Sequence, residues 1–283
     1  MISIPSNFRK SHTMFERDHL LPGDTAAAPN MQSFRSQVNH MMKNSVAGEK
    51  ALTLKQIREY FKLLPMVEVA FSKLLAEIDY PMSKWKETSV DCYLRHSLKF
   101  MEFLNLVNSC LFHLRQGRLY LLHGLGLLES SPDEALAWLR SITVKEVCID
   151  FWVEDAEECD VIFEASTLWF WVCYTALSCL SSERNGCIEN RRKIALLSSS
   201  IMNNLEVVER GCDLEELVDI NKGVARLIVA IKEGKDLKHE GKEMSKKLKL
   251  FEHALDSLQK EVERLFFNVL SSRDKLLDGL RLG

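Results

Sequence analysis

After Pro132 the sequence contains no proline; Pro5, Pro22, Pro29, Pro65, Pro81 and Pro132 are all there are. Nothing in the remaining chain therefore forbids a helix outright. Strand signals are also missing. No stretch keeps a period-two alternation, no Asn-Gly or Asp-Gly turn separates two β-rich runs, and Asp278-Gly279 falls at the end of a helical pattern. The eight cysteines form no CxxC pair and most sit in apolar runs, which reads as buried free thiols in a reducing compartment. Charge of one sign is not in excess: the formal net charge is −3, which removes any general electrostatic reason to bind nucleic acid. There is no Walker motif, no Gly-x-Ser-x-Gly elbow and no zinc-hydrolase signature.

What is present is helix periodicity. Between Met244 and Leu282, the residues Leu248, Phe251, Leu255, Leu258, Val262, Leu265 and Val269 alternate spacings of three and four. They form one stripe of a long helix, as in a coiled-coil seam, with Glu252, Lys260, Glu261, Glu263 and Arg264 placed off it. A second stripe, Ile57, Tyr60, Leu64, Val67, Phe71, Leu74 and Ile78, predicts a helix from Thr53, its N-cap, to Ile78. Because that stripe keeps register across Pro65, a kinked but continuous helix is expected. A third helix is expected from Ser83 or Trp85 to Glu129, buried through Phe100, Phe103, Val107, Cys110, Leu114, Leu121 and Leu128. Gly117 and Gly124 lie on its inner face, and glycine inside a helix predicts close approach by a neighbouring helix.

Pro132 suits the first turn of a short helix ending at Arg140. Two further amphipathic helices are predicted. One runs from Glu189 to Glu209 and stops at Gly211; the other, capped by Asp213, buries Leu214, Leu217, Val218, Val224, Leu227, Ile228 and Ile231 and ends at Gly234. The fold class is all-α: an elongated antiparallel bundle of long amphipathic helices, with the first, second and last long helices packed together. Residues 1–48 are expected to be largely disordered, apart from a short helix at Asn30–Asn44, and residues 49–283 to form one helical-bundle domain. Its irregular middle, about 141–190, is acidic and then apolar.

That middle holds two features with alternatives. Asp150, Glu154, Asp155, Glu157, Glu158, Asp160 and Glu164 lack EF-hand spacing and its glycine, so an acidic helix N-terminus is expected rather than a metal site. Leu168–Leu180 is apolar nearly all round but shorter than the ~20 residues of a membrane span. A buried core helix is the expectation, and peripheral membrane contact through Leu168–Leu180, with Trp169 and Trp171 at the interface, is the alternative. No histidine pair at helical spacing falls on a structured segment, and His123-Gly124-Leu125-Gly126 follows no strand, so it is not read as a phosphate loop. The lysines leading the last helix, Lys238, Lys242, Lys246, Lys247 and Lys249, are diluted by Glu240 and Glu243 and read as a solvated face. No catalytic, cofactor or metal residues are assigned.

Three further blocks are distinctive. They are Tyr80-Pro81-Met82-Ser83-Lys84-Trp85 with Asp91-Cys92-Tyr93-Leu94, then Leu114-Arg115-Gln116-Gly117-Arg118-Leu119-Tyr120-Leu121-Leu122, then Phe266-Phe267-Asn268-Val269-Leu270-Ser271-Ser272-Arg273-Asp274-Lys275-Leu276-Leu277. In this order they resemble the plant BYPASS family, from about Leu52 to the C-terminus and loosely between Ser141 and Asn190. The resemblance implies a protein of plant development that restrains a root-derived, long-distance signal. It implies no catalytic residues. A non-enzymatic interaction protein with unidentified protein partners is the main expectation, in the cytoplasm or at the endoplasmic reticulum or plasma membrane. Phe266, Phe267, Arg273 and Asp274 are the candidate interaction surface, although Arg273 is expected rather to cap carbonyls or pair with a carboxylate on a neighbouring helix. Glu16, Asp18 and Asp24 interrupt the basic character of an organelle transit peptide. Two alternatives stand beside this reading: an enzyme or carrier of the signal's metabolite, with a cavity made by Gly117, Gly124 and the Trp169–Tyr174 region, and a membrane-associated adaptor of the exocytic machinery.

Overall fold

The computed structural model describes Ser36, His40 and residues 52–77, 87–141, 171–180, 214–234 and 237–282. These form six helical stretches beyond the helical Ser36 and His40: α1 (Leu54–Glu77), α2 (Glu87–Leu127), α3 (Pro132–Ser141), α4 (171–180), α5 (Glu215–Glu233) and α6 (Leu237–Leu282). Among the described residues the only β pairing is one isolated parallel bridge, Leu52 to Leu214. The expected 189–209 helix, the acidic run and Trp169 lie outside the described residues.

α6 is the helix on which the others assemble. With 46 residues it is about 70 Å long, and α1, α2 and α5 all pack against it. Every residue of its predicted stripe, Leu248 through Val269, is buried. One residue placed off the stripe is buried as well: Glu261 is only 9% exposed. Arg264, one turn along, donates to its carboxylate, which is how a charge is tolerated there.

α2 lies antiparallel to α6. As numbers rise along α2 they fall along α6: Leu94 and Ser97 meet Arg273, Arg115 meets Asp256, Arg118 meets Glu252, and a Cβ added at Gly241 would lie 3.2 Å from the Leu128 side chain. From Leu94 to Leu128 that seam is about 50 Å long. The seven residues expected to line the inner face of α2 are all buried, joined by Met101, Leu104 and Leu111. α2 buries a wider face because it has more than one neighbour; besides α6 it meets α3 and α4.

α4 is the apolar run of the sequence, and all ten of its described residues are buried. It bridges two helices. Trp171 meets Tyr60 of α1 edge to face at 5.8 Å, and Tyr174 meets Phe103 of α2 at 4.6 Å. Burial, with Cys179 nearby, pushes the Tyr60 hydroxyl up to about 12. Cys110, Cys173 and Cys179 are buried, and burial raises the Cys173 thiol well above its ordinary value. Ser178 satisfies its hydroxyl on the Thr175 carbonyl at 2.9 Å.

Helix ends follow their local sequence. Thr53 caps α1 with a reciprocal pair: its hydroxyl accepts from the Gln56 N–H at 3.1 Å, and Gln56 Oε1 accepts from the Thr53 N–H at 2.8 Å. α1 passes through Pro65 without a break, although that residue has no N–H to offer the Phe61 carbonyl. Gly234 ends α5 with φ of 63°, the left-handed conformation glycine adopts at no steric cost. The N-cap of α5 is Leu214 and not the expected Asp213, and no side chain caps it. Backbone takes over that role: the Glu215 N–H donates to the Leu52 carbonyl at 3.0 Å, beside the Leu52–Leu214 bridge. In return Glu216 Oε1 accepts from the Leu54 N–H at 2.9 Å, so α1 and α5 start side by side.

The buried stripe of α5 is Ile220, Gly223, Leu227 and Ala230. Of the expected face, Leu214 and Leu227 are buried, whereas Leu217, Val218, Val224, Ile228 and Ile231 are only partly buried. The seam is lined by small residues because α5 comes close to α6. A Cβ at Gly223 would sit 2.8 Å from Met244 Sδ.

Candidate functional site

The four residues singled out at the C-terminal end divide between two faces of α6. Arg273 points at α2. Its Nη1 donates to the Leu94 carbonyl and, at 2.6 Å, to Ser97 Oγ. Ser97 is fully buried and donates its hydroxyl hydrogen bond to the same carbonyl at 3.0 Å. Arg273 is thus a cross-helix pin in which every hydrogen bond has a matched acceptor. Phe266 is half-buried against the core. Its neighbour Phe267 is 66% exposed, with the two rings perpendicular at 6.3 Å. Asp274 is exposed.

Two arginines of α2 answer Arg273 from the other side of the seam. Arg115 pairs with Asp256 at 2.7 Å and also donates to Gln259 Oε1. Arg118 donates to Glu252, and its Nε reaches the Leu248 carbonyl at 3.2 Å. The Arg118 side chain is 11% exposed, so this pair is better shielded from solvent than an ordinary surface bridge.

The distinctive blocks of the sequence therefore meet. Leu94 belongs to the first, Arg115 and Arg118 to the second, Arg273 to the third, and their polar contacts all cross the α2–α6 seam. Sequence reasoning did not find the partners of these arginines, which lie more than a hundred residues away along the chain.

Among the described residues, those expected to wall a cavity do not come together. A Cβ at Gly124 would lie 3.0 Å from Trp138 Cδ1 and 3.1 Å from Leu139 Cδ2, both on α3, whereas Gly117 has nothing within 4 Å. Trp138 is fixed there by donating Nε1–H to the Tyr120 carbonyl at 2.8 Å. Trp171 and Tyr174 meet Tyr60 and Phe103 instead. His123 sits inside α2 with its ring 4.8 Å from Trp138, so His123-Gly124-Leu125-Gly126 is helix and not a phosphate loop. Among the described residues no group of three or more His, Cys, Asp or Glu is placed to hold a metal ion. No described helix is long and apolar enough to cross a membrane.

The chain is 24% identical over 300 aligned residues to the protein named "Protein BPS1, chloroplastic" of Arabidopsis thaliana, covering 89% of this chain and 84% of that protein. The chain is a distant homologue of that protein. A shorter stretch is 31% identical over 91 residues to "UPF0496 protein 4" of Oryza sativa, in both the indica and japonica subspecies. That match takes in 31% of this chain and 20% of the rice proteins. No family model and no solved structure matches the chain.

Proposed function

We propose that this protein acts by protein contact and not by catalysis, in the developmental restraint of a root-derived, long-distance signal. The observation that carries this reading is the convergence of the family-like blocks on the α2–α6 seam. There Arg115, Arg118 and Arg273 are spent on holding two helices together, while Phe267 and Asp274 are turned to solvent beside them. Groups engaged in fixed structural hydrogen bonds are not arranged as an acid, a base or a nucleophile around a reacting atom. An exposed aromatic flanked by charge, on a rigid helix, is the composition of a recognition surface.

The test is complementation. Expression of this chain in an Arabidopsis line lacking the BPS1 protein should restore normal shoot development. A variant with Phe267→Ala and Asp274→Ala should accumulate to the same level and fail to do so. Full rescue by that variant would contradict the surface, and no rescue by the parent chain at normal abundance would contradict the role.

The compartment has two readings. Glu16, Asp18 and Asp24 weigh against an organelle transit peptide, whereas the name of the Arabidopsis relative includes "chloroplastic". A fluorescent fusion at the C-terminus, imaged against chlorophyll, decides between them.

A further inference from the structure

The side of α6 turned away from the bundle carries a second three-four series: Lys242, Lys246, Lys249, His253, Asp256, Lys260, Glu263, Phe267, Leu270 and Asp274. Nine of the ten are exposed, and Asp256 keeps half of its side chain in solvent. The series is uninterrupted, so it forms one ridge about 48 Å long. Its order of charge is not random. The first part is basic, the last part ends on Asp274, and the pattern is complementary to itself when reversed.

We infer that this ridge is a self-association surface, on which α6 of a second copy of this chain lies antiparallel, with the two-fold axis level with residue 258. In that register Lys242 faces Asp274 of the partner, Lys246 faces Leu270, Lys249 faces Phe267, His253 faces Glu263, and Asp256 faces Lys260. Every contact occurs twice, because a two-fold interface is isologous. No like charges oppose one another in this register between 242 and 274, and Glu252 and Arg273 stay engaged with α2. The Phe267 ring receives the ammonium and the methylene stem of Lys249, a cation–π arrangement that covers one of the most exposed aromatic rings on the described surface. Leu250, 70% exposed, lies beside the same contact and adds apolar area. A parallel arrangement in register would instead set lysine on lysine and is excluded by repulsion.

Charge complementarity is what selects a second copy over other occupants. An anionic lipid surface would match the basic half but would meet Glu263 and Asp274 at the other end. Because the ridge is mostly polar, the dimer is modest in affinity and weakens with salt. This inference deepens the reading of α6 as an interaction helix by naming one partner. Its test uses the purified chain alone, so failure here leaves complementation to be judged independently.

The experiment is sedimentation velocity over a concentration series at about 50 mM and about 500 mM salt. The parent is expected to dimerise at low salt and to dissociate at high salt. Two charge variants sharpen it: one carries Glu263→Lys and Asp274→Lys, the other Lys242→Asp and His253→Glu. All four sites are exposed, so circular dichroism should be unchanged in both. Each variant alone should dimerise at least about tenfold more weakly than the parent, since like charges now oppose. An equimolar mixture should recover association to within about threefold, because the antiparallel register pairs each new charge with its opposite. A parent that stays monomeric at low salt, variants that dimerise normally, or a mixture that does not recover would each overturn the inference. So would a monomer that binds vesicles of anionic phospholipid.

Discussion

α6 has two faces that repeat with the same three-four spacing and do opposite things. The inward series from Leu248 to Val269 is apolar and buried, while the outward series from Lys242 to Asp274 is charged and exposed. The inward face is interchangeable in chemistry: leucine, phenylalanine and valine serve equally to remove area from water. The outward face is ordered in chemistry, basic first and acidic last. Periodicity alone therefore identifies a face but not its use.

The largest way to break this comparison is to put the chemistry of one face on the other. Leu258 is fully buried on the inner stripe. Leu258→Asp should cost more than about 4 kcal/mol and abolish cooperative melting, because an unpaired charge is then held in an apolar core. Circular dichroism on heating checks it.

Arg273 stands between the faces and is expected to fall between them in effect. Arg273→Ala removes two hydrogen bonds into α2; the Leu94 carbonyl keeps the Ser97 hydroxyl as a donor, while the buried Ser97 Oγ loses its charged donor. A loss of about 1–3 kcal/mol in urea unfolding is expected. Stability within error of the parent would show that the pin holds nothing.

Two of the three glycines of α2, Gly117 and Gly124, extend the comparison to the partner helix. Gly117 faces open space, so Gly117→Ala should stabilise by about 1 kcal/mol through helix propensity. At Gly124 a Cβ meets Trp138 and Leu139. There the propensity gain is offset by displacing α3, and Gly124→Ala should be neutral or destabilising by up to about 1 kcal/mol. Equal gains at both sites would show that α3 does not pack on α2 as described.

The smallest effect is expected at Glu216, where burial raises the carboxyl pKa against hydrogen bonds from its own N–H and that of Leu54, which lower it. A raised carboxyl favours the folded state only while protonated. Its contribution is complete below the ordinary value of 4.5 and is lost as pH rises through the folded value. Glu216→Gln has no such dependence, so the variant should gain on the parent as pH rises from about 4.5 to 7. A difference in urea midpoint that is constant over this range would contradict it.

Much of the fold was legible because it rests on spacing. The α6 stripe, the inner face of α2, the Thr53 cap, the passage through Pro65 and the Gly234 stop all follow from local sequence. What was not legible depends on neighbours. Gly223 and Ala230 carry no hydrophobic signal, yet they line the seam because α5 comes close to Met244. Gly117 and Gly124 look alike in sequence, and only the position of α3 separates them. The α5 N-terminus is held by the Leu52 backbone, far away along the chain, so no local rule finds it. Of the candidate site, Arg273 and Asp274 are adjacent in sequence and part company in space, a consequence of the 3.6-residue turn.

The most direct measurement is the same substitution made on both faces of α6. Leu258→Asp and Phe267→Asp should be melted side by side at a concentration where the parent is monomeric. The first is expected to show no cooperative transition. The second should melt within about 2 °C of the parent, since a residue with most of its surface in water loses little on substitution. If Phe267→Asp lowers the melting temperature as far as Leu258→Asp, or if Leu258→Asp leaves it unchanged, the two-faced account of α6 is wrong.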